Sequence, residues 1–174
     1  MTIVEIKSKL QSAHDHLVDT VANLSESQCM HAPENKWSGL QHIKHIDMTL
    51  SPVVKFFGDR EKYFSRNFGE ADRAPRSYES IQDEYVKLLT PGIVAPDRYT
   101  PTAIPYSDKE SVNQDLLIKV SSLLTHMDQW TEVELDRYLI PHPLLGDITL
   151  REILFFSIYH SEHHRKNVEK TLGG

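Results

Sequence analysis

His160 and His164 stand four residues apart in the run Tyr159-His160-Ser161-Glu162-His163-His164-Arg165, inside a stretch with helical character throughout. On a 3.6-residue helix two such side chains lie about 40° apart in projection, on one face, close enough to reach a single ion. Imidazole is the commonest neutral metal ligand near pH 7. Two histidines leave a metal under-coordinated, and a pair at this spacing is by itself more often incidental than metal-binding. The metal reading therefore depends on a further ligand from elsewhere in the chain.

The segment Lys36-Trp37-Ser38-Gly39-Leu40-Gln41-His42-Ile43-Lys44-His45 offers two candidates, His42 and His45. His42 lies nearer the apolar centre of the helical wheel. With Ser38 as N-cap, however, His42 is the fourth helical position and Trp37 the residue before the cap, the arrangement of a hydrophobic staple, which gives His42 a packing role. His45 lies almost a turn further in and has no such role. On the residues alone, both stay open. Other reactive types have plainer readings. Cys29, with His31 two residues away, sits beside a helix end without an orienting acid and reads as a buried or incidental thiol. His14 and His126 fall on the flanks of apolar faces, Trp37 and Trp130 read as core, Glu162 points to solvent, and His163 lies roughly 100° around the helix from His164.

Four helices must position these groups. Each opens with Ser or Thr followed three residues later by Glu or Gln, the capping box that satisfies free N–H groups of a first turn: Thr2…Glu5, Ser38…Gln41, Ser107…Glu110 and Thr149…Glu152. Apolar residues then recur by threes and fours, as in Ile3, Ile6, Leu10, Ala13, Leu17 and Val21. Pro52 falls inside the second pattern and predicts a kink or local unwinding. Helices one and two are joined by a short loop around Pro33. Between helices two and three lie roughly residues 63 to 106, with one short helix from Tyr78 to Leu89 and then Pro91, Pro96, Pro101 and Pro105. A connection of that length can cross the bundle and leave helices two and three parallel. Residues 139–146 suggest a brief hairpin before the last helix. The whole, residues 1–174, reads as one all-α four-helix-bundle domain.

Composition narrows the function. Lys+Arg 19 against Asp+Glu 25 gives a net charge of −6 without a basic run, which argues against nucleic acid. No apolar run is long enough to cross a membrane, the first residues lack a signal-peptide core, and one cysteine cannot form an internal disulfide, so a cytoplasmic location is expected.

A helix opened by Trp37-Ser38, a histidine eight residues after the tryptophan, and a last helix bearing His160-x-x-x-His164 together resemble the DinB-like (YfiT-like) superfamily of metalloenzymes. The resemblance covers nearly the full chain, including the helix order and the long crossover. It implies an up-down-down-up bundle with a divalent metal on His45, His160 and His164, held between helices two and four, and it implies homodimers. Relatives include thiol-dependent transferases, such as bacillithiol S-transferases and mycothiol-dependent maleylpyruvate isomerases. The expected cofactor is a divalent ion, zinc or nickel ahead of iron or manganese, with a low-molecular-weight thiol as a further candidate. Three neutral imidazoles leave open coordination, the mark of a catalytic site. Such a cation activates water for hydrolysis or stabilises a thiolate that attacks an electrophile. The expected function is thus a small-molecule thiol S-transferase or hydrolase. The alternatives are a non-catalytic metal- or ligand-binding module, and a metal-free helical interaction protein whose histidines are polar core.

Overall fold

The computed structural model describes residues 1–34, 36–89 and 94–173. Four long helices carry the fold: α1 (Ile3–Ala22), α3 (Gly39–Gly58), α6 (Lys109–His126) and α8 (Leu150–Gly173), with the short α2 (Glu26–Met30), α4 (Arg60–Arg66), α5 (Tyr78–Leu88) and α7 (Glu132–Arg137) between them. The strands β1 (Leu139–His142) and β2 (Gly146–Thr149) form the hairpin expected before the last helix, pairing antiparallel from Leu139 opposite Thr149 to His142 opposite Gly146. Gly146 turns the chain there at φ +69°, a left-handed conformation that side chains disfavour. No described helix is long and apolar enough to cross a membrane.

The capping boxes at Thr2 and Ser38 form as the sequence predicts, each with reciprocal side-chain and backbone bonds. At Thr149 the same pair of bonds is present, Glu152 N–H to Thr149 Oγ1 at 3.2 Å and Thr149 N–H to Glu152 Oε2 at 2.9 Å. The box at Ser107 does not form. A 3-10 turn over Tyr106–Asp108 places Ser107 within a helical turn instead of the extended conformation a cap needs, and its hydroxyl bonds Asp108. The long connection also holds more structure than expected. α4 continues the chain past α3 to Arg66, capped by the Asp59 side chain, and a 3-10 turn covers Asp97–Tyr99. Of the proline run, Pro91 lies outside the described residues. α3 continues unbroken through Pro52, so no unwinding occurs there.

α1 packs along α8 and α3 along α6, around a core that includes Ile6, Leu10, Leu17, Leu40, Ile43 and Leu116. The ends of α3 and α6 meet: the Trp130 indole N–H donates to the Phe57 carbonyl at 3.0 Å, and the His126 ring covers Gly58. α8 is buried on every side from Leu150 to Ser161. Its two charges there are satisfied. Glu152 accepts from Arg73 at 2.6 Å and from the Arg76 N–H at 2.6 Å, while Arg151 donates to Glu132, to Asp136 and to the Met1 carbonyl.

Candidate metal centre

The Ser38 cap fixes the first turn of α3, so His42 and His45 leave the helix at defined positions facing α8. His160 and His164 project from successive turns of α8. The histidines 45, 160 and 164 come together, each offering a ring nitrogen within 4.8 Å of the others, and all three are buried. His160 Nε2 lies 3.2 Å from His45 Nε2 and 3.1 Å from His164 Nε2.

The hydrogen bonds behind the cluster decide what its front can do. His45 Nδ1 is 2.6 Å from the Tyr99 carbonyl, which can only accept, so Nδ1 carries the proton and Nε2 presents its lone pair to the cluster. His164 Nδ1 is 2.7 Å from His42 Nδ1, again on the side away from the cluster. Burial lowers the pKa of His160 and His164 well below the ordinary value, with the neighbouring histidines adding to the effect. It lowers that of His45 too, against the opposing bond to Tyr99. His45 Nε2 thus meets His160 Nε2 with a lone pair, and the lowered pKa values leave all three rings as neutral imidazoles able to ligate a cation. A single ion bonded at about 2.0–2.1 Å would place neighbouring ligand nitrogens roughly 3.0–3.4 Å apart. The donor set fits a divalent cation on spacing, protonation and chemistry.

His42, the other sequence candidate, is buried behind His164 rather than beside His160. Its ring also meets Trp37 edge-on at 5.6 Å, the staple contact expected of it. Trp37 is not plain core, in contrast to Trp130. It is half-buried, 4.7 Å from the His45 ring and stacked over His164 at 5.9 Å, so it walls the cluster. His163 faces the same cavity without joining the cluster, its ring perpendicular to His164 at 5.4 Å. Glu162 is half-buried and does not line the cavity. Cys29 is fully buried, and burial raises its pKa, which leaves it inert. Ser161 donates to the Ala13 carbonyl on α1 and so serves packing.

The cluster opens on a cavity of about 1140 Å³, walled in part by Leu50, Val53, Phe56 and Phe156. Several groups there escaped the sequence reading. Phe156, one turn before His160, stacks on its ring at 4.8 Å, a relationship that i and i+4 spacing could have disclosed. Tyr85, from α5, meets His160 edge-on at 5.8 Å, and burial pushes its hydroxyl up to about 12. His142 of the hairpin accepts backbone N–H bonds from Leu144 and Leu145 on Nδ1, and burial lowers its pKa to about 4. His14 is fully buried and lines the cavity, going beyond the flank position expected. Its Nδ1 is 2.7 Å from the Leu10 carbonyl, Nε2 has no partner among the described residues, and burial lowers its pKa to about 4.

The profile of the DinB superfamily matches residues 9–168, and the chain belongs to that superfamily. Among solved structures, it is similar to a conserved protein from Enterococcus faecalis, with a TM-score of 0.60 over 99% of this chain and 96% of that one. At 14% identity that likeness speaks for the fold alone. A comparison with curated proteins finds no match.

Proposed function

We propose that this protein is a metal-dependent enzyme acting on a small molecule, a thiol S-transferase or a hydrolase, with one divalent cation, zinc or nickel, held by His45, His160 and His164. The observation that carries the reading is the convergence of three buried imidazoles, with ring nitrogens within 4.8 Å of one another, at the wall of a cavity large enough for a substrate. Membership in the DinB superfamily supports it. When bound, the cation supplies Lewis acidity. The chain's own residues do the rest. The Tyr99 carbonyl holds the His45 ring by its Nδ1–H and so keeps the Nε2 lone pair on the cluster side, while His42 steadies the His164 ring through its Nδ1. Trp37, Phe156 and Tyr85 keep bulk water from the histidines, and the apolar walls receive the body of the substrate.

Metal analysis of protein purified without chelators, followed by turnover on a panel of thiols with electrophiles and a panel of hydrolysable esters and amides, tests the reading. One equivalent of metal is expected, lost together with turnover in His160→Ala while helical content stays near that of the parent. Full activity in the metal-stripped protein or in His160→Ala would defeat it. Loss of helicity with the metal would point to a structural ion.

A further inference from the structure

The charge lining the cavity runs against the charge of the chain. The protein carries 25 acidic residues against 19 basic ones, yet among the described residues the charged ones lining this cavity are Lys36, Arg66, Arg98 and Lys170, with no aspartate or glutamate. None of these four takes part in an ion pair among the described residues, whereas other lysines and arginines of the chain do. Three of them lie close in sequence to residues at the histidine cluster. Lys36 adjoins Trp37, which packs on His45 and His164. Arg98 adjoins Tyr99, whose carbonyl holds His45. Lys170 follows His164 on α8 by six residues, about 9 Å along the axis. Arg66 lies apart, with its guanidinium over Phe56 at 5.5 Å, and Phe56 is about 16 Å along α3 from His45. Leu50, Val53 and Phe156 give the same cavity much of its apolar wall, beside uncharged polar residues such as Thr49 and Ser157.

We infer that the cavity selects a small-molecule anion with an apolar body, its charged group held at the mouth formed by Lys36, Arg98 and Lys170 and its body lying along the wall toward Arg66. A cavity lined by one sign of charge with low-dielectric walls concentrates ligands of the opposite sign. Without an acidic side chain among the described lining residues to offset these charges, a bound cation would add to the same field. A neutral ligand of equal shape gains the apolar contacts and forgoes the charge-assisted bonds. The four cations are solvent-exposed, so the preference weakens as salt rises. The inference rests on the reading of this cavity as the substrate site, while the three cations act whether or not the histidines hold a metal.

Octanoate and its uncharged counterpart octanamide are suitable probes, titrated calorimetrically into metal-loaded and metal-stripped protein at low and at physiological salt. Octanoate should bind at least about tenfold more tightly than octanamide in both forms at low salt. The triple variant Lys36→Gln, Arg98→Gln, Lys170→Gln should lose most of that preference. A control triple variant at exposed lysines outside the cavity, Lys9→Gln, Lys62→Gln, Lys87→Gln, should keep it, and so distinguish local contacts from a change in net charge. Equal binding of the two probes, absence of octanoate binding at millimolar concentration, or a preference that survives the cavity triple variant would overturn the inference. A preference confined to the metal-loaded form would assign it to the ion and overturn it as well. If the protein holds no metal but still prefers octanoate through these three residues, the anion site stands and the metalloenzyme reading falls.

Discussion

His42 and His45 show how two histidines three residues apart on one helix divide a task. His45 reaches the cluster with Nε2, while His42 stands behind His164 with Nδ1 at 2.7 Å from Nδ1. With His164 as the metal ligand proposed above, His42 is the group that holds its ring, and losing such a partner typically weakens metal binding about 10–100-fold. His42→Ala should therefore leave the protein able to load metal, with an affinity lower by that factor in competition against a chromophoric chelator, whereas His160→Ala should load none. Unchanged affinity in His42→Ala would reduce His42 to its packing on Trp37. The pairing of His160 with His164 was legible from their four-residue spacing, whereas the choice of His45 over His42 was implied by the family resemblance and stayed open on the residues alone. The bond from His42 to His164 was not legible, because a helical wheel describes one helix and this contact depends on how two helices cross. Nor could the Tyr99 carbonyl be read, since every residue has one.

At the scale of elements, α8 is the anchor, and its first turn is held by charge. Burial alone would raise the Glu152 pKa, but bonds from Arg73, Arg76 and two backbone N–H groups hold it at about 2. Glu152→Gln removes that charge from a residue with 0% exposure and leaves Arg73 and Arg76 without their shared partner. The expected cost is about 3 kcal/mol, at the low end for a broken buried pair because both arginines reach solvent, measurable by urea unfolding. A cost under 1 kcal/mol would show that the capping bond to Thr149 matters more than the ion pairs. The sequence disclosed Glu152 as a capping residue and nothing more, because its arginine partners lie in the aperiodic crossover. It also disclosed the caps at Thr2 and Ser38, where an extended residue precedes the helix. It misplaced the one at Ser107, where Pro105 leads into a 3-10 turn that starts the helical conformation early.

For the whole molecule, helical periodicity and caps exposed the bundle, but the cavity drew on segments without periodicity: the 94–100 stretch, the hairpin and the end of α4. The long helices also turn imidazoles toward it, into apolar surroundings, and that sets the response of the protein to acid. His14 and His42 are held neutral by burial down to about pH 4, against an ordinary value of 6.5. Between those limits the unfolded chain takes up protons that the folded chain refuses. Stability is therefore complete above about pH 6.5 and declines as the pH falls toward 4. At about 1.4 kcal/mol per pH unit, His14 alone accounts for a loss of about 3 kcal/mol across that window. Glu152 adds a second decline, from the ordinary carboxylate value of 4.5 toward 2, as its ion pairs are neutralised. Unfolding of metal-stripped protein by urea at pH 7, 5.5 and 4 should show the first decline. His14→Leu, which keeps the ring's place apolar and removes its titration, should make it shallower by up to that amount, while Glu152→Gln should leave it unchanged and flatten only the acid limb. An undiminished slope in His14→Leu would mean that His14 is protonated in the folded protein, with an anion or water in the cavity to receive the proton that Nε2 would then carry.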